Sequence, residues 1–84
     1  MNLESFKTFY FAAQYGSISK ASEQLYITQP AVSRAIKQLE DDMGCTLFIR
    51  TPKGVKLTQE GEVLYKYIDQ AFNFISAAKK KIED

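Results

Sequence analysis

Four residues within six positions, Gln29, Pro30, Ser33 and Arg34, offer an amide, a ring, a hydroxyl and a guanidinium close together in sequence. They lie in Thr28–Gly44, TQPAVSRAIKQLEDDMG, and that stretch has helical periodicity. At about 100° per residue, Val32, Ala35, Ile36, Leu39 and Met43 fall on one side, and Pro30, Ser33, Arg34 and Lys37 on the other. One face enters a core and the other is left for a partner. Free N–H groups at a helix start attract phosphates, so Gln29, Pro30, Ser33 and Arg34 lie where a duplex would be met end-on. The chemistry expected of this helix is DNA reading.

The start of that helix is fixed by its sequence. Thr28 is a good N-cap, and Pro30 falls in the first turn, where a missing N–H costs little. Gly44 follows the last apolar position and suits a left-handed cap. Glu40, Asp41 and Asp42 sit badly with the negative end of the helix dipole, which points to another constraint there. Upstream, Asn2 caps a helix with Leu3, Phe6, Tyr10 and Ala13 at helical spacing and Phe9 near the same stripe; Gly16 closes it. Ser17 caps a short second helix that turns Ile18, Ala21 and Leu25 inward. The pattern is that of a helix-turn-helix, although any small three-helix bundle would share it.

After Gly44 the period changes. Thr46-Leu47-Phe48-Ile49-Arg50 reads as a strand, Thr51-Pro52-Lys53-Gly54 as a turn and Val55-Lys56-Leu57 as a returning strand. A lone hairpin is marginal in water, so Leu47, Phe48 and Leu57 are expected to pack on the helices. Arg50, Lys53 and Lys56 make the hairpin basic, either to meet phosphates beside a groove or simply as a solvated turn. From Thr58 to Asp84 the chain reads as one long helix with Thr58 as its cap. Gly61, Leu64, Ile68, Ala71, Ile75, Ala78 and Ile82 follow heptad spacing. Tyr65, Tyr67, Phe72 and Phe74 widen the stripe beyond what a small core covers, which predicts pairing with a second copy rather than folding back over its own domain. Lys79-Lys80-Lys81 complements the dipole at the helix end.

Composition narrows the classes. Eighty-four residues suit one small domain with an appendage. A net charge of +1 excludes a basic tail that coats nucleic acid indiscriminately, so attraction to phosphate must come from local placement. There is no His and only one Cys, Cys45, which removes the commonest general base and any disulfide within a chain. No catalytic residue, metal ligand or cofactor is expected. With no signal-like start or long apolar run, the chain is expected in the cytoplasm and off the membrane. Cys45 is expected to be a buried structural thiol.

The run from Phe6 to Gly61, with GSISKASEQLYITQPAVSRAIKQLEDDMGCTLFIRTPKGVKLTQEG at its heart, resembles the N-terminal DNA-binding domain of LysR-type transcriptional regulators. The glycine-serine start of the second helix, the Gln29–Arg34 block, Leu39-Glu40, Gly44, Leu47-Phe48-Arg50 and Leu57-Thr58-Gly61 fall in order at that family's spacing. The resemblance implies a mainly α fold: a winged helix-turn-helix with a three-helix core and a two-stranded β wing, followed by a long C-terminal dimerisation helix. Residues 1–58 would form the head, with the helix-turn-helix at about 18–37 and the wing at about 46–57. Residues 59–84 would be the linker helix.

It also implies function. A two-fold dimer would bind double-stranded DNA, each third helix entering the major groove of an inverted repeat. Gln29 and Pro30 match positions near base edges, and Ser33 and Arg34 match the base- and phosphate-contacting pair. Arg50 and Lys53 match the wing's backbone contacts, Thr28 doubles as cap and phosphate donor, and Lys37 is the least placed of the set. Arg suits guanine and Gln suits adenine by bidentate pairing. Leu64, Ile68, Ala71, Phe72, Ile75 and Ala78 would make the dimer seam, and Glu40 an anchor rather than a contact. Departures are Ser22, where the family favours alanine between the first two helices, Cys45 for valine, and an apolar Ile49. Family members carry a further ligand-binding domain, so a small-molecule effector is expected to act only through a domain absent from this chain. The alternative is a protein-interaction module that docks a partner on the C-terminal aromatic helix.

Overall fold

The computed structural model describes residues 2–84 and follows the order α1 (Leu3–Tyr15), α2 (Ile18–Leu25), α3 (Gln29–Met43), β1 (Phe48–Thr51), β2 (Gly54–Leu57) and α4 (Gln59–Glu83). Each helix begins at the expected cap. Asn2 accepts from the Glu4 N–H at 2.8 Å, Ser17 from Lys20 at 3.1 Å, Thr28 from Ala31 at 3.2 Å and Thr58 from Gly61 at 3.0 Å. Gly16 (φ 63°) and Gly44 (φ 72°) end α1 and α3 in the left-handed region, where glycine carries no Cβ penalty. Tyr26 ends α2 in the same region without that freedom, at φ 58°.

The three-helix core and two-stranded wing agree with the expected winged helix-turn-helix. Phe9, Leu39, Leu47 and Val32 are its largest fully buried side chains, and Phe9 meets Phe48 of the wing with ring centroids 5.1 Å apart. The hairpin is antiparallel, pairing Phe48 with Leu57 and Thr51 with Gly54, so Pro52 and Lys53 alone turn the chain. The first strand starts at Phe48 rather than Thr46. The reason is that the Glu40 carboxylate accepts from the N–H of Leu47 at 2.7 Å and of Phe48 at 3.3 Å, holding the entry off the ladder. That is the constraint that keeps an acid at the end of α3, and it makes Glu40 the anchor expected.

The stripe on α1 is not the face that enters the core. Leu3 is 82 % exposed, while Ser5, Thr8, Phe9 and Ala12 are buried. This helix has neighbours on two sides: Phe9 and Ala12 enter the core, and Phe6 and Tyr10 turn to α4. Thr8 tolerates burial because its hydroxyl donates to the Glu4 carbonyl at 2.9 Å. Ser22, also buried, does the same on α2, its hydroxyl donating to the Ser19 carbonyl at 2.7 Å. Met43 runs past the edge of the core and is 39 % exposed. Cys45 is half-buried and packs against the core.

Two close backbone approaches brace the wing and α4. The Val55 N–H donates to the Gly16 carbonyl at 3.1 Å, and a Cβ on Gly54 would collide with that same oxygen. Gly61 is buried against the Leu47 carbonyl, where a Cβ has no room. Thr58 joins the two regions: its N–H donates to Leu47 at 3.0 Å and its hydroxyl to the Thr46 carbonyl at 2.7 Å.

The single long helix reaches Glu83 as its sequence suggests, but its apolar positions divide between two tasks. Ile68 is 8 % exposed and belongs to the protomer's own core, with Leu64, Tyr65 and Phe72 packed partly against it. Beyond Phe72 every side chain of α4 is exposed. The first half thus lies back on α1, and the second half projects with an uncovered apolar face.

Candidate nucleic-acid interface

The surface opposite the α3 core gathers most of the residues singled out from sequence. Thr28, Gln29, Pro30 and Arg34 are exposed along the first turns, while Val32 and Ile36 are buried beneath them. Pro30 occupies the first turn, so it removes no helical hydrogen bond. The Thr28 hydroxyl is engaged as the cap. Arg34 makes no side-chain hydrogen bond or ion pair among the described residues, leaving its fork open. Gln29 lies 3.5 Å from the Ser19 hydroxyl, which brings the first turn of α2 beside that of α3.

The wing approaches the same surface. Arg50 Nη2 donates to Ser33 Oγ at 3.3 Å, and Ser33, Lys37, Thr46 and Arg50 line a cleft of about 280 Å³ between α3 and the hairpin. Arg50 shares the inward side of its strand with Phe48, because alternate residues of a strand face the same way. Ile49 therefore points outward and is exposed. Lys53 lies apart at the hairpin tip, where its N–H donates to Thr51 Oγ1 at 3.3 Å. It is exposed, and its side chain makes no hydrogen bond or ion pair among the described residues.

Lys37 is occupied differently. Its ammonium meets Asp41 one turn further along at 3.0 Å, and the hydrogen bond and charge of Asp41 raise its pKa. An exposed pair of this kind is weak and screened by salt, so it does not fix the side chain against a competing phosphate. No group of acidic, His or Cys side chains among the described residues could hold a metal ion. No described helix is long and apolar enough to cross a membrane.

The residues expected at a dimer seam are split. Leu64, Ile68 and Phe72 are drawn into the protomer, whereas Ala71, Ile75 and Ala78 are exposed. Tyr67, Phe74 and Ile82 join them, Phe74 being 77 % exposed. Ser19 was not marked out by sequence at all. Its signal is only its place on the first turn of α2, two positions beyond the Ser17 cap, and the neighbour that gives it meaning is ten residues away.

The profile described as "Bacterial regulatory helix-turn-helix protein, lysR family" matches residues 3–62. The chain belongs to the LysR family. This LysR-family chain is 38 % identical over 82 residues to the "Uncharacterized HTH-type transcriptional regulator YxjO" of Bacillus subtilis (strain 168), covering 98 % of this chain and 28 % of that protein. It is 39 % identical over 82 residues to the "HTH-type transcriptional regulator HdfR" of Salmonella newport (strain SL254), covering 98 % and 30 %. The chain therefore spans less than a third of the length of these curated relatives. Among solved structures it is similar to that titled "Crystal Structure of BenM_DBD/catB site 1 DNA Complex", with a TM-score of 0.89, 30 % identity and coverage of 99 % of this chain and 92 % of that one. The family is one of regulators, not of enzymes.

Proposed function

We propose that this LysR-family domain binds double-stranded DNA sequence-specifically as a two-fold dimer, with α3 in the major groove of each half of an inverted repeat. The observation that carries this reading is the α3 surface itself. Gln29, Pro30 and Arg34 stand exposed at the helix start, directly over a buried face, and Arg50 of the wing lies beside Ser33. A base-reading helix needs those groups on the side away from its core and near a helix N-terminus. The BenM domain, 30 % identical, is named as a DNA complex, which supports the same partner here.

Residues 1–58 act as the reading head and 59–84 as the dimerisation helix. Gln29 and Arg34 read base edges, Pro30 packs near them, and Thr28, Ser33, Lys37, Arg50 and Lys53 position the head on the backbone. The dimer seam runs along Tyr67, Ala71, Phe74, Ile75, Ala78 and Ile82, which share one face of α4 and lie exposed. That face continues into an apolar groove of about 500 Å³ between α1 and α4, lined by Leu3, Phe6, Leu64, Tyr67, Ile68 and Ile75 among others. The protein works in the cytoplasm, and an effector of the whole regulator acts through the further length that relatives possess.

A titration against random duplex and against a pool enriched for inverted repeats, at several salt concentrations, tests the reading. Steep loss of affinity with salt and selective retention of inverted repeats is the expected result. A folded dimer that binds no duplex at low salt instead assigns the apolar helix to protein docking.

A further inference from the structure

Among the described residues, one side-chain hydrogen bond joins α1 to α4, from Tyr10 to Asp69. The phenol donates to Asp69 Oδ1 at 2.6 Å, across 59 positions of sequence. Its ring lies parallel to Tyr65, with centroids 4.9 Å apart and planes 8° from parallel. Phe72 meets it edge-on, also with centroids 4.9 Å apart. Three side chains of α4 therefore hold one tyrosine of α1 by its ring and by its tip.

This cluster sits where α4 changes character. Up to Phe72 the helix lies on α1; after it, every side chain of α4 is exposed. Ring stacking alone tolerates sliding and rotation, but a short hydrogen bond to a carboxylate is directional. The Asp69 bond, with burial second, pushes the Tyr10 phenol well above its ordinary range, so it remains a donor at every working pH. Asp69 makes no ion pair among the described residues that would draw its carboxylate elsewhere.

We propose that Tyr10 and Asp69 are positioning residues that set the spacing between half-sites, by fixing the angle of the reading head on its dimerisation helix; this rests on the dimer proposed above. The magnitude is sufficient. Across a body 26 Å wide, a swing of ~10° at the cluster moves the far edge by about 4–5 Å, more than the ~3.4 Å between successive bases of a strand. A head free to swing that far would accept neighbouring spacings; one held at Tyr10 accepts one.

The test uses the 84-residue chain, the half-site it enriches from a random pool, and a series of inverted repeats of that half-site differing by one base pair in spacer length. Tyr10→Phe keeps the stack and removes the hydroxyl, and Asp69→Ala removes the acceptor. Both are expected to bind an isolated half-site as the parent does. Their preference for the best spacer over its neighbours is expected to fall by about two- to tenfold, the range that one hydrogen bond spans. Asp69→Asn, which keeps an acceptor, is expected to recover much of the preference. Variant profiles that superimpose on the parent's overturn the proposal while leaving the dimer intact. Half-site binding that falls in step with spacing preference also overturns it, because the cluster would then merely support the fold. A parent with no preferred spacer overturns the dimer reading and this proposal together.

Discussion

Arg50 donates to Ser33 across 3.3 Å, so the wing and α3 are tied at the surface proposed to meet DNA. The bond is exposed and its partners are both positioned to meet phosphate or base. On binding, each has an alternative partner, and the tie serves to keep the guanidinium near the groove rather than loose in solvent. Removing Arg50 is therefore expected to differ from removing Arg34. Arg50→Ala weakens binding to all sequences alike and reduces the salt slope by about 1. Ser33→Ala in the Arg50→Ala background adds less than it does alone, which a double-mutant cycle reads directly.

Arg34 has no competing side-chain partner among the described residues. Arg34→Ala is expected to weaken binding to the enriched repeat by about 1–3 kcal/mol and to relax selection at one base pair, with random duplex little affected. Unchanged affinity for the repeat would show that α3 meets the duplex in another orientation.

Two glycines separate space from backbone conformation. At Gly61 the obstacle is the Leu47 carbonyl, which belongs to the backbone and cannot swing aside. Gly61→Ala is expected to destabilise the chain by about 1–3 kcal/mol, by forcing α4 away from the base of the wing. At Gly44 nothing lies within 4 Å of an added Cβ, and only φ 72° opposes it. Gly44→Ala is expected to cost about 1 kcal/mol, the penalty for left-handed backbone alone. Urea melts of both variants make the comparison.

Ile68 and Ile75 lie on the same helix, yet their replacements should fail in different ways. Ile68→Ala opens the protomer core and lowers stability by about 2–4 kcal/mol. Ile75→Glu places a charge on the exposed face and converts dimer to monomer with the head still folded. Sedimentation and thermal melting together distinguish the two; an unchanged mass for Ile75→Glu would displace the seam from this face.

Tyr10 adds a pH dependence whose sign follows from its raised pKa. The folded state holds the phenolic proton more tightly than the unfolded chain, where the group titrates near 10.0. Its contribution is full below pH 10 and declines as pH rises beyond it. The stability difference between parent and Tyr10→Phe is expected to be constant from pH 6 to about 9 and to shrink above about 10.

Much of the frame is legible in the sequence because caps and breakers act locally. Asn2, Ser17, Thr28 and Thr58 set helix starts from within a few residues, and Gly16 and Gly44 set two of the ends. The α3 surface is legible for the same reason, since one periodicity places Gln29, Pro30, Ser33 and Arg34 opposite the core. The orientation of α1 is not. Its apolar stripe marks the side toward α4, while Ser5 and Thr8 are buried, Thr8 with its hydroxyl satisfied on its own helix. The division of α4 is hidden likewise: heptad spacing cannot show which apolar residues a neighbour from the same chain will take. Ser19 beside Gln29, Arg50 on Ser33 and Tyr10 on Asp69 are meetings of distant segments, and only the fold brings them together.

Thr58 is bound at three points, capping α4 with its oxygen while its N–H and hydroxyl hold the carbonyls of Leu47 and Thr46. In a longer regulator this makes it a mechanical coupling. A pull or torque applied to the far end of α4 would travel down a stiff rod, meet α1 at the Tyr10–Asp69 bond, and end at the root of the hairpin. The third helix is linked to that root through Glu40. Strain imposed on α4 would thus reach the head through two joints, one on α1 at Tyr10 and one at the root of the wing.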